Sequence, residues 1–265
     1  MYDVIALRFA HLNGTRSHLF HCNHYFGPDG PQDADFFFWV IRDGQRTVLL
    51  DCGFDRARGE ARNRPQDTDP LELLDRVGVD PADVSLIIVS HMHYDHVGNL
   101  ALFPNARVVM SRAEYDYWTR PGILDRTLNS KVVDAEDIEA VQTLQALGRL
   151  ALIDADSEVA PGIHLTVLGG HTPGQLITEV TTAAGTLVLA SDASHFVEEY
   201  AEDRPFCLFH DLDVLHAGYA ELRDRAARAD TVVVPGHDPG TAGAFVEIAE
   251  NCFDLTTAVP AALAP

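Results

Sequence analysis

Short apolar, β-branched runs recur along the chain, and several of them end on a histidine or an aspartate. Residues 3–9, 36–42 and 47–51 read as strands, the last two joined by the turn Asp43-Gly44-Gln45. Residues 84–89 (Val-Ser-Leu-Ile-Ile-Val) form a run suited to a buried strand, and residues 163–168, 186–192 and 231–234 repeat the type. Helical periodicity appears between them. Residues 70–77 suit a short helix. Residues 111–147 are mostly helical, with Ile138, Val141, Leu144 and Leu147 at near-helical spacing behind Asp134 as a candidate cap. From 211 to 229, Leu212, Leu215, Tyr219, Leu222 and Ala226 make one apolar stripe that covers a sheet face. The mixture predicts an α/β chain.

The chemistry concentrates behind the strand at 84–89. Ser90-His91-Met92-His93-Tyr94-Asp95-His96 places four metal-capable side chains directly after it, before Val97-Gly98-Asn99-Leu100 opens as a helix. In an extended segment residues i and i+2 point the same way, so His91 and His93 can grip one ion while Asp95 and His96 reach a second. Imidazole and carboxylate donors suit zinc, iron or manganese, and nothing in the run selects soft thiolate chemistry.

Three more strand ends deliver the same residue types. His171 lies in Gly169-Gly170-His171-Thr172-Pro173-Gly174, Asp192 closes the run from Thr186, and His237 follows Pro235-Gly236. Singly, each reads as a capped strand end or a turn residue. Together they are expected to converge on one edge of a sheet, where open α/β folds place their sites.

This constellation resembles the metallo-β-lactamase fold superfamily, and within it most closely the N-acyl homoserine lactonase branch. The resemblance covers nearly the whole chain. It implies one domain over residues 1–265, an αββα sandwich of two mixed β-sheets packed face to face with helices outside. It also implies a helical insert at about 111–148 beside the substrate pocket, where Tyr115, Tyr117 and Trp118 are candidate lining residues. On this resemblance one divalent ion takes His91, His93 and His171, a second takes Asp95, His96 and His237, and Asp192 bridges them. Zinc leads among the ions expected, with iron, manganese and cobalt also suited. Asp51, at the end of the strand beneath the motif, resembles the buried acid that orients a ligand histidine, and a turn carboxylate is the alternative.

The implied activity is opening of a lactone by metal-activated water, with Asp95 passing a proton to the leaving group. A bridging aspartate rather than cysteine sets the chain apart from one major class of true β-lactamases. His93, where flavodiiron proteins carry glutamate, disfavours a redox role. In one place the chain departs from the lactonases: they carry tyrosine three residues after the bridging aspartate, and here that residue is His195. As a catalytic residue it would assist the oxyanion. The same ligands admit a thioester hydrolase of the glyoxalase II type, a hydrolase of another cyclic ester or amide, or a non-catalytic metal-binding member of the fold.

Composition narrows the partners. With 265 residues and 46% hydrophobic content a substantial core can be buried, and the net charge of −21 repels nucleic acid and anionic membranes. A small-molecule substrate is expected; a homodimer is admissible. Cys22, Cys52, Cys207 and Cys252 form no C-x-x-C pair and read as buried small residues rather than disulfides. No basic, then apolar, leader opens the chain and no stretch approaches a membrane span, so a cytoplasmic protein is expected. His18, His21 and His24 suggest a loop overhanging the site or meeting a partner more than a third metal site. Residues 259–265 read as an Ala/Pro tail.

Overall fold

Alternate residues of the first strand part into two different cores, and this sets the layering. In the computed structural model, which describes residues 1–256, Val4 and Ala6 face one apolar cluster while Ile5, Leu7 and Phe9 face another. A strand can do this only when both of its faces are covered.

Thirteen strands form two sheets among the described residues: β1 (Asp3–Thr15), β2 (Pro31–Arg42), β3 (Thr47–Leu50), β4 (Val84–Ile88), β5 (Arg107–Ser111), β6 (Leu150–Ile153), β7 (Ser157–Ala160), β8 (Ile163–Val167), β9 (Leu176–Thr182), β10 (Gly185–Ser191), β11 (Thr231–Pro235), β12 (Val246–Ala249) and β13 (Cys252–Asp254). The larger sheet runs β12-β13-β1-β2-β3-β4-β5-β6, and the smaller runs β11-β10-β9-β8-β7. Both are mixed. From β3 to β6 the pairing is parallel, and β10 pairs parallel with β11; the remaining pairs are antiparallel.

Between the sheets lies a core in which Trp39, Ile41, Leu50 and Ile88 meet Leu165, Val180, Leu189 and Val234. Helices cover the outer faces. Leu73 and Leu74 of the helix Pro70–Arg76 and Val141 and Leu144 of Ala135–Ala146 pack with the outer side chains of the larger sheet. Leu215, Tyr219 and Leu222 of Leu212–Ala226 pack with Val188, Ala190 and Val233 of the smaller. This is the expected αββα sandwich.

Several local expectations are corrected. β1 continues to Thr15, because its polar second half pairs in register with β2 after a bulge between Arg8 and Ala10. Strands β5, β6, β7, β9, β12 and β13 carried no separate expectation. The helix behind the motif begins at Tyr94 rather than Val97. Asp134 sits at the N-cap of its helix, but its carboxylate pairs with Arg62 at 2.6 Å instead of capping. Leu147, placed on the buried stripe, is 64% exposed because the helix has ended. Only Cys52 and Cys252 are buried; Cys22 and Cys207 are exposed free thiols on loops. The tail expected at 259–265 lies outside the described residues.

Candidate metal centre

The site lies where the ends of both sheets meet, not along one edge of one sheet. β4 of the larger sheet delivers the 90–96 segment, while the β8–β9 connection, the end of β10 and the end of β11 bring His171, Asp192 and His237 from the smaller. The donor atoms of His91, His93, His171 and Asp192 all come within 4.8 Å of one another, and so do those of Asp95, His96 and His237. Every one of these residues is buried. Asp192 lies between the groups: its Oδ2 is 3.4 Å from His171 Nε2 and 3.7 Å from His91 Nε2, and its Oδ1 is 3.0 Å from His237 Nε2 and 3.3 Å from His96 Nε2.

Local backbone explains the aim of these side chains. His93 occupies the N-cap of the helix Tyr94–Val97, so Asp95 and His96 sit on its first turn, rotated away from His91 and His93. Gly170 adopts φ +91°, and a Cβ there would lie 2.8 Å from the backbone nitrogen of Leu215; only glycine lets the His171 loop pass so close to the helix.

Outer contacts then set the histidine tautomers. His96 Nδ1 donates to Asp51 Oδ2 at 2.7 Å, His237 Nδ1 to the carbonyl of Asp35 at 2.8 Å, and His171 Nδ1 to the carbonyl of Leu208 at 3.0 Å. Because these acceptors hold the Nδ1 proton, the neutral ring turns an Nε2 lone pair inward. Asp51 is thus the buried orienting acid and not a turn carboxylate. It also accepts from Ser90 N and Oγ and from Ser191 Oγ. Asp51 and Ser191 both hold positive φ, 60° and 46°, so backbone strain gathers directly beneath the site.

The donor set fits a pair of metal ions. His91 Nε2, His96 Nε2 and Asp192 Oδ1 are buried with no hydrogen-bond partner. Leaving each so costs about 1–3 kcal/mol, which coordination would offset. Protonation states agree in part. Burial pushes His93 down to about 3 and lowers His91 and His171 well below the ordinary imidazole value, which keeps them neutral. Burial opposes the charge on Asp192, but His96, His195 and His237 hold it ionised. Burial likewise opposes charge on His96 and His195, yet Asp192 with Asp95 and Asp51 raises the first, and Asp192 with Glu199 raises the second to about 10. A metal bound at Nε2 would compete with the proton that these carboxylates favour.

A cleft of about 210 Å³ opens over the donors, walled by apolar side chains that include Leu12, Leu19, Phe36, Val132, Phe196 and Phe206, with Arg64 and His18 also present. A second recess shares His93 and His171 and is bounded by Tyr117 and Trp118. Of the three aromatics expected at the pocket, Tyr117 and Trp118 border this second recess and not the cleft, and Tyr115 packs against the core. His18 and Leu19 line the cleft from the short helix Arg16–Leu19. His21 turns to Phe209 and His24 to Tyr25, and none of the three joins a donor group among the described residues.

Two buried glutamates went unnoticed in the sequence. Glu114 accepts from Met92 N at 2.9 Å, Gly174 N at 2.9 Å and Trp118 Nε1 at 2.7 Å, tying the two ligand loops to the helical insert. Glu199 meets His195. Glu114 has no local signal, whereas Glu199 lies four residues beyond His195 at a helix start, a spacing that could have drawn attention.

The family model described as the metallo-beta-lactamase superfamily matches residues 37–237, and the chain belongs to that superfamily. An N-acyl homoserine lactonase of a Bacillus species is 31% identical over 221 residues, spanning 78% of this chain and 82% of the relative. Among solved structures, a quorum-quenching N-acyl homoserine lactone lactonase matches with a TM-score of 0.72 at 23% identity, covering 89% of this chain and 92% of that one. AidC, a dizinc quorum-quenching lactonase, matches with a TM-score of 0.69 at 19% identity, covering 90% and 87%.

Proposed function

We propose that the protein is a dinuclear-metal hydrolase that opens the ring of an N-acyl homoserine lactone or a close lactone relative. The observation that carries this reading is Asp192, set with one oxygen toward His91 and His171 and the other toward His96 and His237, beneath an apolar cleft. His91, His93 and His171 would hold one ion, Asp95, His96 and His237 the other, and Asp192 both. When bound, such ions activate water and polarise an ester carbonyl. Zinc is the ion proposed, in keeping with the N- and O-donor set.

The protein's own groups supply the rest. Asp95 Oδ2 lies 3.7 Å from His96 Nε2 and 3.9 Å from His237 Nε2, leaving Oδ1 to take the proton that the attacking water gives up and to pass it to the departing alkoxide. Leu12, Leu19, Phe196 and Phe206 offer an apolar wall for an acyl chain and exclude water around it. The four free cysteines suit a reducing, cytoplasmic place of action. The net charge of −21 favours a small molecule over nucleic acid as the substrate.

The test is a panel of N-acyl homoserine lactones and simple lactones presented to purified protein whose metal content has been measured. Turnover of at least one acyl homoserine lactone is expected. Inactivity on the whole panel with two ions bound per chain would overturn the reading.

A further inference from the structure

His195 stands where the resembling lactonases carry tyrosine, and its surroundings are those of a ligand. Its Nε2 lies 3.1 Å from Asp192 Oδ2, and its side chain is 4% exposed. The donor atoms of Asp192, His195 and His237 come within 4.8 Å of one another. On the far side, Nδ1 lies 3.2 Å from Glu199 Oε1. That carboxylate is fully buried and is itself held by the backbone nitrogen of His195 at 2.9 Å and the hydroxyl of Tyr219 at 2.8 Å. Phe206 stacks on the ring with centroids 3.6 Å apart and planes 14° from parallel, fixing its rotation.

The pattern repeats what surrounds His96, His171 and His237: an acceptor anchors Nδ1 and turns Nε2 inward. Metal-binding histidines are held in this way, commonly by a carboxylate. A hydrogen bond from His195 to a substrate oxygen would need an N–H aimed into the cleft. Both ring nitrogens instead face carboxylates, an arrangement that suits a ligand better than an oxyanion donor.

We propose that His195 is an additional protein ligand of the metal centre, coordinating through Nε2 an ion that Asp192 helps to hold, with Glu199 as its positioning residue. The proposal rests on the dinuclear reading above. It adds a nitrogen donor beyond His91, His93, Asp95, His96, His171, Asp192 and His237.

The experiment uses the full chain loaded with cobalt(II), comparing wild type, His195→Phe and Glu199→Gln by chelator competition and visible absorption. Phenylalanine keeps the stack on Phe206 and removes the donor. In His195→Phe one of the two ions should be released about 10–100-fold more readily, with a changed cobalt spectrum, while the other is unaffected. Glu199→Gln should shift the same ion in the same direction by a smaller factor. Unchanged release and spectrum in His195→Phe, or equal weakening of both ions together with a lower melting temperature of the metal-free protein, would overturn the assignment. Wild type that binds two cobalt ions, loses one selectively in His195→Phe, and opens no lactone would leave His195 a ligand and remove the lactonase reading alone.

Discussion

Asp51 Oδ2 accepts the Nδ1 proton of His96 at 2.7 Å, across a loop junction that joins residues 45 positions apart. The same carboxylate gathers Ser90 and Ser191, so one acid sets the orientation of a donor from the larger sheet and the strand end from the smaller. Asp51→Asn tolerates the left-handed backbone that Asp51 adopts, since asparagine visits this region readily. It removes one acceptor oxygen from a group that receives four donors. Metal affinity is expected to fall about 10–100-fold with the fold retained, as measured by chelator competition and circular dichroism.

Asp95 and His93 should separate catalysis from metal binding. Asp95→Asn is expected to retain both ions while turnover drops by about 100-fold or more, the scale on which a positioned proton-transfer group acts. His93→Ala should lose metal first. Elemental analysis beside kcat decides; equal metal loss in the two variants would remove the separate role of Asp95.

Gly236 permits the closest approach of the His237 turn to β10. A Cβ at this position would lie 2.7 Å from the backbone oxygen of Ser191 and 2.8 Å from Asp192 Oδ1. Gly236→Ala is therefore expected to cost about 1–3 kcal/mol through overpacking and to weaken metal binding at the same time. Urea unfolding of the metal-free protein measures the first effect, and titration with zinc the second.

Glu114 should behave as a strut between the ligand loops. Glu114→Ala leaves the backbone nitrogens of Met92 and Gly174 and the indole of Trp118 without their acceptor. At about 1–3 kcal/mol for each buried unpaired donor, the loss reaches several kcal/mol. Glu114→Gln keeps one acceptor oxygen and should recover part of it. Thermal unfolding followed by circular dichroism checks the order wild type, Gln, Ala.

Thiol chemistry should divide the cysteines by location. Cys22 is exposed, and a thiol reagent is expected to modify it first. Cys207 is also exposed in the folded chain, but desolvation by the surrounding protein, together with the Glu199 charge, raises its thiol to about 11, so it should react more slowly. Cys52 and Cys252 should react only on unfolding, because their side chains are buried. Mass spectrometry of partly labelled protein would give this order, and early modification of Cys52 would contradict the packing described.

Much of the centre was legible because its signals are local. Alternation of His91 and His93 behind an apolar strand, and histidine or aspartate at the ends of three further strands, needs only a few residues in sequence to be seen. The strands themselves were visible where a β-branched run faces two cores, as in β4 and β11. They were not visible in the second half of β1, whose polar residues are held by pairing with β2, or in β12 and β13, which at four and three residues are too short to show an alternating pattern.

What the sequence determined by itself is the chemistry: nitrogen and carboxylate donors behind one strand and at three further strand ends, while their division into two sets served by one aspartate was implied by the family resemblance. Short-range spacing and side-chain type suffice for that, since a ligand's identity does not depend on the rest of the fold. Tertiary structure decided the aim and the support. That Asp51 rather than a turn residue anchors His96, and that Glu114 clamps two loops, follow from packing two sheets together. Those contacts join residues whose separation along the chain carries no periodic signal, and only closure of the sandwich buries them where an unpaired polar atom is costly.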